Sequence, residues 1–251
     1  METRRRLVRA GSVLAVPILW FLLTRLGIVA GLPTPTAVAS SFLEEFYRQD
    51  FWLSVARSTV RVLVSFVVAA AVAIPLGLLI GRYTVFADLT FPALEMLRPI
   101  PPIAWIPFTI LVLPASELSI MFITFLGAFF PILLNTIQGA RGVEVEFSRA
   151  AQSLGAGSFQ TFRHVIYPSA LPAIHAGMIV GMGLAWVNLI AGEMVAGGTG
   201  LGFLTWSAYT SGSYPTIIVG IITIGVLGAL SSALVRLFAN WQIGWREVES
   251  A

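Results

Sequence analysis

Apolar runs of bilayer length recur along this chain, and they limit its fold more than any other feature. A helix needs about 20 predominantly apolar residues to cross a hydrocarbon core. Runs of that order lie at roughly 11–32, 60–80, 118–137, 170–195 and 215–237. The balance of the chain agrees: 57% of its residues are hydrophobic and 11% charged, where soluble domains carry about a quarter charged residues. The reading is an all-α, polytopic membrane protein with about six transmembrane helices.

Taken in order, Met1 to Arg9 carries Arg4, Arg5, Arg6 and Arg9 ahead of the first apolar run. That run exceeds the ~7–15 residues of a signal-peptide core, so it reads as a first span with its start in the cytoplasm rather than as a leader cleaved near Ala37-Val38-Ala39. Pro33-Thr34-Pro35 ends it. Ser40 to Val55 sets Phe42, Leu43, Phe46 and Trp52 against Glu44, Glu45, Arg48 and Asp50, the pattern of an interfacial helix on the outer surface. The second span holds Pro75 and a small-xxx-small pair, Gly77 and Gly81, which permits close helix packing. A third, Leu89 to Leu113, contains Glu95, Arg98, Pro99, Pro101, Pro102 and Pro107. So many prolines cannot sit in one regular helix, and broken backbone survives in lipid only inside protein or along a cavity. The span therefore lies near a pathway.

Leu118–Ile137 forms the fourth span and Ala170–Val195 the fifth, with a polar stretch at 138–167 between them. A Gly-rich turn, Gly197–Gly202, precedes the sixth span, Pro215–Leu237. Six spans leave both termini on one side. Assigning that side to the cytoplasm places Arg4, Arg5, Arg6, Arg9, Arg82, Arg141, Arg149, Arg163, Arg236 and Arg246 inside. Arg25, Arg48, Arg57 and Arg61 then fall outside, in keeping with the positive-inside rule.

The 138–167 stretch is organised as two short helical pieces, Ser148–Leu154 closed by Gly155, and Ser158–Ile166 leading to Pro168. A short rigid helix ended by Gly transmits displacement, whereas a flexible loop absorbs it.

Several chemistries are excluded. All the basic residues other than His are Arg, and a Walker A loop requires Lys, so these residues build no conventional ATPase site. There is no Cys. His164 and His175 have no acid at metal-ligand spacing, and the GGTGLG turn follows no strand, so neither a metal site nor a nucleotide cradle is expected. A net charge of +3 is ordinary for Arg-rich cytoplasmic loops and implies no nucleic acid. No nucleophile triad or carboxylate pair suggests catalysis.

Polar groups on apolar spans are candidate pathway residues: Arg98, Trp105, Asn135, Trp186, Asn188 and Glu193. Each also has a structural reading. Glu95 and Arg98 are three apart and can pair, and Asn or Trp on a span often bonds to a neighbouring helix. Glu193 reads equally as a gate residue and as a carboxylate bonded to the Gly-rich turn.

The spacing of Ala150, Ala151, Leu154, Gly155, Ala156, Phe162, Val165, Pro168 and Pro172 resembles the EAA loop of ABC-importer permeases. The resemblance implies that this loop is a cytoplasmic coupling helix between the fourth and fifth spans. Its ATPase-coupling positions would be Arg149, Ala150, Ala151, Leu154, Gly155, Ala156 and Phe162. Arg149 departs from the family, which carries Glu there, and puts in doubt any salt bridge made through that Glu. LRPIPPIAWIP (Leu97–Pro107), GAFFPILLNT (Gly127–Thr136) and AGEM (Ala191–Met194) resemble the branch that carries nitrate, aliphatic sulfonates, taurine or bicarbonate. By that resemblance residues 1–251 form a single permease domain, with its core at about 56–240, the coupling loop at 138–167 and the N-terminal span and outer helix at 10–55. It would be a multi-pass subunit of a bacterial cytoplasmic (inner) membrane, both termini cytoplasmic, without a cofactor of its own. Its implied partners are a second copy or close paralogue, membrane lipid, two ATP-binding cassette subunits holding ATP and Mg, and an extracytoplasmic substrate-binding protein. The alternative is an ion-coupled secondary transporter working without an ATPase. That class usually needs intramembrane acids and repeated broken helices, and here only Glu95 and Glu193 qualify.

Overall fold

The computed structural model describes residues 17–26 and 31–242, and these are helices and turns with no strand among them. The expected first span at 11–32 falls partly outside that range, as do the N-terminal arginines and the tail with Arg246. Its described part, α1, is helical over 17–25. Thr34 opens α2 (Pro35–Phe46) by accepting the Ala37 N–H on its hydroxyl at 3.2 Å, and Pro35 occupies the first helical position, where its missing donor costs nothing.

The predicted interfacial helix at 40–55 is instead two helices. α2 stops at Phe46, and α3 (Gln49–Arg82) absorbs the rest in one helix of 34 residues. Arg48 is extended and closes the corner by pairing with Glu45 at 3.0 Å. Trp52 donates its indole N–H to the Phe46 carbonyl at 2.8 Å, which satisfies an acceptor left open by the end of α2.

The third predicted span is not a continuous helix. It is α4 (Thr84–Leu97), a 3₁₀ turn over Pro102–Trp105 and α5 (Ile106–Val112). The break falls where Pro99, Pro101 and Pro102 stand, as the loss of backbone donors requires. α6 (Ser116–Arg141), α9 (Tyr167–Ala196) and α11 (Tyr214–Gln242) cover the fourth, fifth and sixth runs. Between α6 and α9 lie α7 (Val145–Ser153) and α8 (Ser158–Thr161), and α10 (Leu201–Thr210) follows α9. Four helices among the described residues are long and apolar enough to cross a membrane: α3, α6, the continuous Ser158–Ala196 helix, and α11. The protein is a helical polytopic membrane protein.

α6 is the central helix. α3 lies parallel to it, with Gly77 against Thr136 and Gly81 against Ala140; α9 lies antiparallel, with Gly177 against Asn135 and Gly181 against Ile132. α11 runs antiparallel to α9, joined by Trp186 Nε1 to Ser231 Oγ at 2.8 Å and by His175 to Gln242 at 2.8 Å. Val62, Phe66, Ile120, Ile132, Leu133, Met182 and Leu189 fill the space between α3, α6 and α9. The starts of α3, α6 and α11 thus gather with the end of α9 at one end of the bundle, the charged end. The opposite end carries Arg82, Arg141 and the α7–α8 loop.

The small-xxx-small pair of the second run permits close helix packing, and glycines of the fifth run do the same. The structure spends them internally, on α6. A Cβ added at Gly177 would lie 2.8 Å from that of Asn135 and 2.9 Å from the Pro131 carbonyl, so α6 and α9 can approach this closely only with no side chain there.

Gly177→Val should therefore lower the thermal stability of the purified protein by on the order of 1–3 kcal/mol, the usual range for overpacking. Gly183→Val, whose added carbon meets nothing within 4 Å, should be near neutral. Equal losses in the two variants would refute the close seam.

Candidate functional site

Two features stand apart from ordinary helix packing, one at each end of the bundle. At the loop end, α7 has no buried residue. Val145, Phe147, Leu154 and Phe159 are exposed there, Leu154 to 89% and Phe159 to 72%. These side chains stand on a polar connection at the arginine-bearing end of the spans, where an exposed apolar cluster marks an interaction surface.

The cluster has a rigid frame. α7 ends in a left-handed Gly155 at φ +88°, with the Gly155 N–H donating to the Gln152 carbonyl at 2.9 Å and the Ala156 N–H to the Ala151 carbonyl at 3.0 Å. The Gln160 side chain accepts the Gly157 N–H at 2.9 Å and fixes the start of α8. A shallow cavity of about 420 Å³ opens between the two helices, lined by Ala151, Leu154, Gly155, Ala156, Gln160 and His164 among others. From α8 the chain makes no break before the next apolar run. It passes through a π-helical turn, Phe162–Ile166, directly into α9. Pro168 lies in the first turn of α9, where proline is tolerated. α8 is thereby continuous with a helix that reaches the far end of the bundle.

At the charged end, Arg61 and Glu193 form a buried ion pair, Nη1 to Oε1 at 2.8 Å, with side chains 4% and 0% exposed. Glu193 accepts two further groups, the Ser58 hydroxyl at 2.8 Å and the Gly202 N–H at 2.9 Å. Ser58 in turn accepts the Leu201 N–H at 2.9 Å. Arg61 also donates from Nη1 to the Thr199 carbonyl at 2.6 Å. Its other edge holds Glu117 in a fork, Nε to Oε1 at 2.7 Å and Nη2 to Oε2 at 2.5 Å. Arg57 bonds the Thr199 hydroxyl. The cluster joins α3, α6, α9 and the Gly-rich turn.

Of the two readings of Glu193, the hydrogen bonds place it on the Gly-rich turn, with Arg61 as an additional partner. Asn188 is buried and donates to the Leu184 carbonyl at 2.8 Å, and Asn135 is half-buried and donates to the Pro131 carbonyl at 2.9 Å. Trp186 is buried on Ser231. Arg98 is exposed beyond the end of α4, and Trp105 is half-buried in the 3₁₀ turn, edge-on to Phe108 at 5.9 Å between centroids. Glu95 and Arg98 are both exposed and form no ion pair with each other. Arg149 is exposed on α7. No group of metal-ligating side chains occurs among the described residues.

Ser58, Arg61 and Glu117 were not singled out from the sequence. Starting the second span at residue 60 left Arg61 at a helix end, where it reads as a solvated surface charge. A signal was present: Ser58 and Arg61 are three apart on one face, and an arginine carried into a span pairs with an acid or with backbone carbonyls.

Residues 73–243 match the family described as binding-protein-dependent transport system inner membrane component. The chain is 40% identical to a putative ABC transporter permease of Methanocaldococcus jannaschii over 75% of this chain and 71% of that one. It is 33% identical to the nitrate import permease of Synechocystis over 90% and 85%. With the putative aliphatic sulfonates transport permease of Bacillus subtilis it shares 31% identity over 91% and 83%.

Because Glu193 is enclosed and Glu117 half-exposed, their loss should differ in cost. Glu193→Ala leaves a buried guanidinium without its inner partner and should destabilise the protein by about 3–5 kcal/mol. Glu117→Ala should cost about 1 kcal/mol or less. Comparable melting shifts for the two variants would overturn this ranking.

Proposed function

The chain belongs to the family of binding-protein-dependent transport system inner membrane components, and on that premise we propose that it lines the route of a small anion through an ATP-driven importer. It is the transmembrane subunit, and ATP with its Mg is bound and hydrolysed on partner chains, since these residues offer no Lys for a Walker A loop. The cargo class follows from the relatives, whose names specify nitrate and aliphatic sulfonates.

The observation that carries the mechanism is the exposed α7 knob on its rigid frame. Its apolar side chains have no cover among the described residues, and the frame leads straight into α9. Arg149, Ala150, Ala151, Leu154, Gly155, Ala156 and Phe162 form or support the surface that docks an ATPase subunit. Two such subunits close on ATP and move the knobs of two permease copies, shifting the population between two packings of the bundle. The excess of arginine supports placing the α7 end and both termini in the cytoplasm. The charged end then faces outward, toward a substrate-binding protein. Residues 1–251 act as one permease domain in a cytoplasmic (inner) membrane. Arg98 and Trp105, on the proline-broken segment between α4 and α5, are the earlier candidates best placed to meet a solute.

Gly155→Pro tests the coupling role. Proline is confined to φ near −65° and cannot donate the bond that Gly155 makes to Gln152. The variant should insert in the membrane as before, yet lose cargo-stimulated ATP hydrolysis or fail to retain the ATPase subunits. Normal ATP-driven uptake in proteoliposomes would refute coupling through α7. Uptake with no ATP requirement would favour the ion-coupled carrier.

A further inference from the structure

We propose that the outer edge of Arg61, together with Arg57, is an oxyanion-binding station whose resting occupant is the carboxylate of Glu117. The inference rests on the anion reading above. Arg61 presents two separate faces. Nη1 is committed to Glu193 and to the Thr199 carbonyl, at 2.8 and 2.6 Å, and that side is sealed by α9 and the Gly-rich turn. Nε and Nη2 form the second face, a planar fork suited to two oxygens of one anion. Glu117 fills it now.

The two carboxylates are not equivalent. Glu193 has no exposed side-chain surface, while that of Glu117 is 52% exposed. The buried one neutralises Arg61 permanently. The exposed one stands in the first turn of α6 and can leave by rotating its own side chain, without moving the helix. Arg57 lies on the surface beside it, bonded to the neutral hydroxyl of Thr199 and in no ion pair among the described residues. With Glu117 turned away, Arg57 and Arg61 face only Glu193, and the cluster carries one uncompensated positive charge.

The space for a solute is present. A cavity of about 450 Å³ opens at this point, lined by Ala56, Arg57, Val60, Arg61, Glu117 and Met121. Nitrate, bicarbonate and a sulfonate each offer two oxygens in the arrangement that the Glu117 carboxylate now supplies. A built-in competitor also serves transport, because a site must bind well enough to admit a solute and weakly enough to release it.

The test uses the assembled complex of permease and ATPase subunits in nanodiscs, titrated calorimetrically with sodium nitrate against chloride at equal ionic strength. Glu117→Gln keeps the side-chain shape and removes the competing charge, so it should tighten nitrate binding by about tenfold and lower KM more than kcat. Arg57→Gln, on the surface, should weaken nitrate by a similar factor, about tenfold, with an unchanged melting temperature. A merely structural bridge predicts no change in nitrate affinity or KM in either variant, whatever the melting temperature of Glu117→Gln. A wild-type complex that carries nitrate while both variants titrate as wild type would overturn the station alone. A wild-type complex that carries no oxyanion would overturn the cargo reading, and the station with it.

Discussion

A charge inside an apolar helix bundle survives only when its hydrogen-bonding positions are met, and the Arg61–Glu193 pair meets them from four directions. Isolated, either ion would cost several kcal/mol to bury. Here Glu193 receives a guanidinium and a hydroxyl from α3 and a backbone N–H from the start of α10. The consequence is geometric. Because Glu193 lies in the last turn of α9 and bonds Gly202 at the start of α10, the connection must double back within a few residues. Gly197, Gly198 and Gly200 do this with positive φ. At Gly200 a Cβ would overlap the Glu193 carboxylate, so the turn needs glycine there for space as well as for backbone freedom.

From that anchor the bundle is held by shape rather than by charge. Helices in lipid gain no hydrophobic drive from meeting one another, so close packing of small residues takes over. The seam along α6 is of this kind, with glycines of α3 on one side and of α9 on the other. A seam of backbone-to-backbone contact has little room to deform. α6 and α9 are therefore closely interlocked from the loop end to the charged end. The π-helical turn at Phe162–Ile166 is the irregular point on that line, and such turns often mark functional positions.

The architecture was largely legible because bilayer length and hydrogen-bond closure leave few choices. The runs read at 118–137, 170–195 and 215–237 fall within α6, α9 and α11. The prolines at 99–107 announced the break between α4 and α5. What the residues alone did not disclose depends on contacts across the chain. Arg61 read as a surface charge because its partners, Glu117 and Glu193, lie 56 and 132 residues away. The small-residue pair of the second run, Gly77 and Gly81, implied close packing but not that α6 is the helix it meets. Nor did the residues disclose that a π turn at Phe162–Ile166 makes α8 and α9 one continuous helix.

The two ends of the molecule differ in how far the described residues satisfy them. At the charged end the buried carboxylate is fully bonded within the chain, so nothing further is needed for stability. At the α7 end apolar side chains remain uncovered, and burying them yields about 25 cal/mol per Å² only when another protein arrives. A partner that binds there more tightly in one of its own states than in another has a free-energy difference to apply. The stiff seam of α6 and α9 connects that difference to the opposite end. On the proposed coupling, one uncovered surface, one close-packed seam and one anchored end are what the bundle would use to pass such a difference along its length.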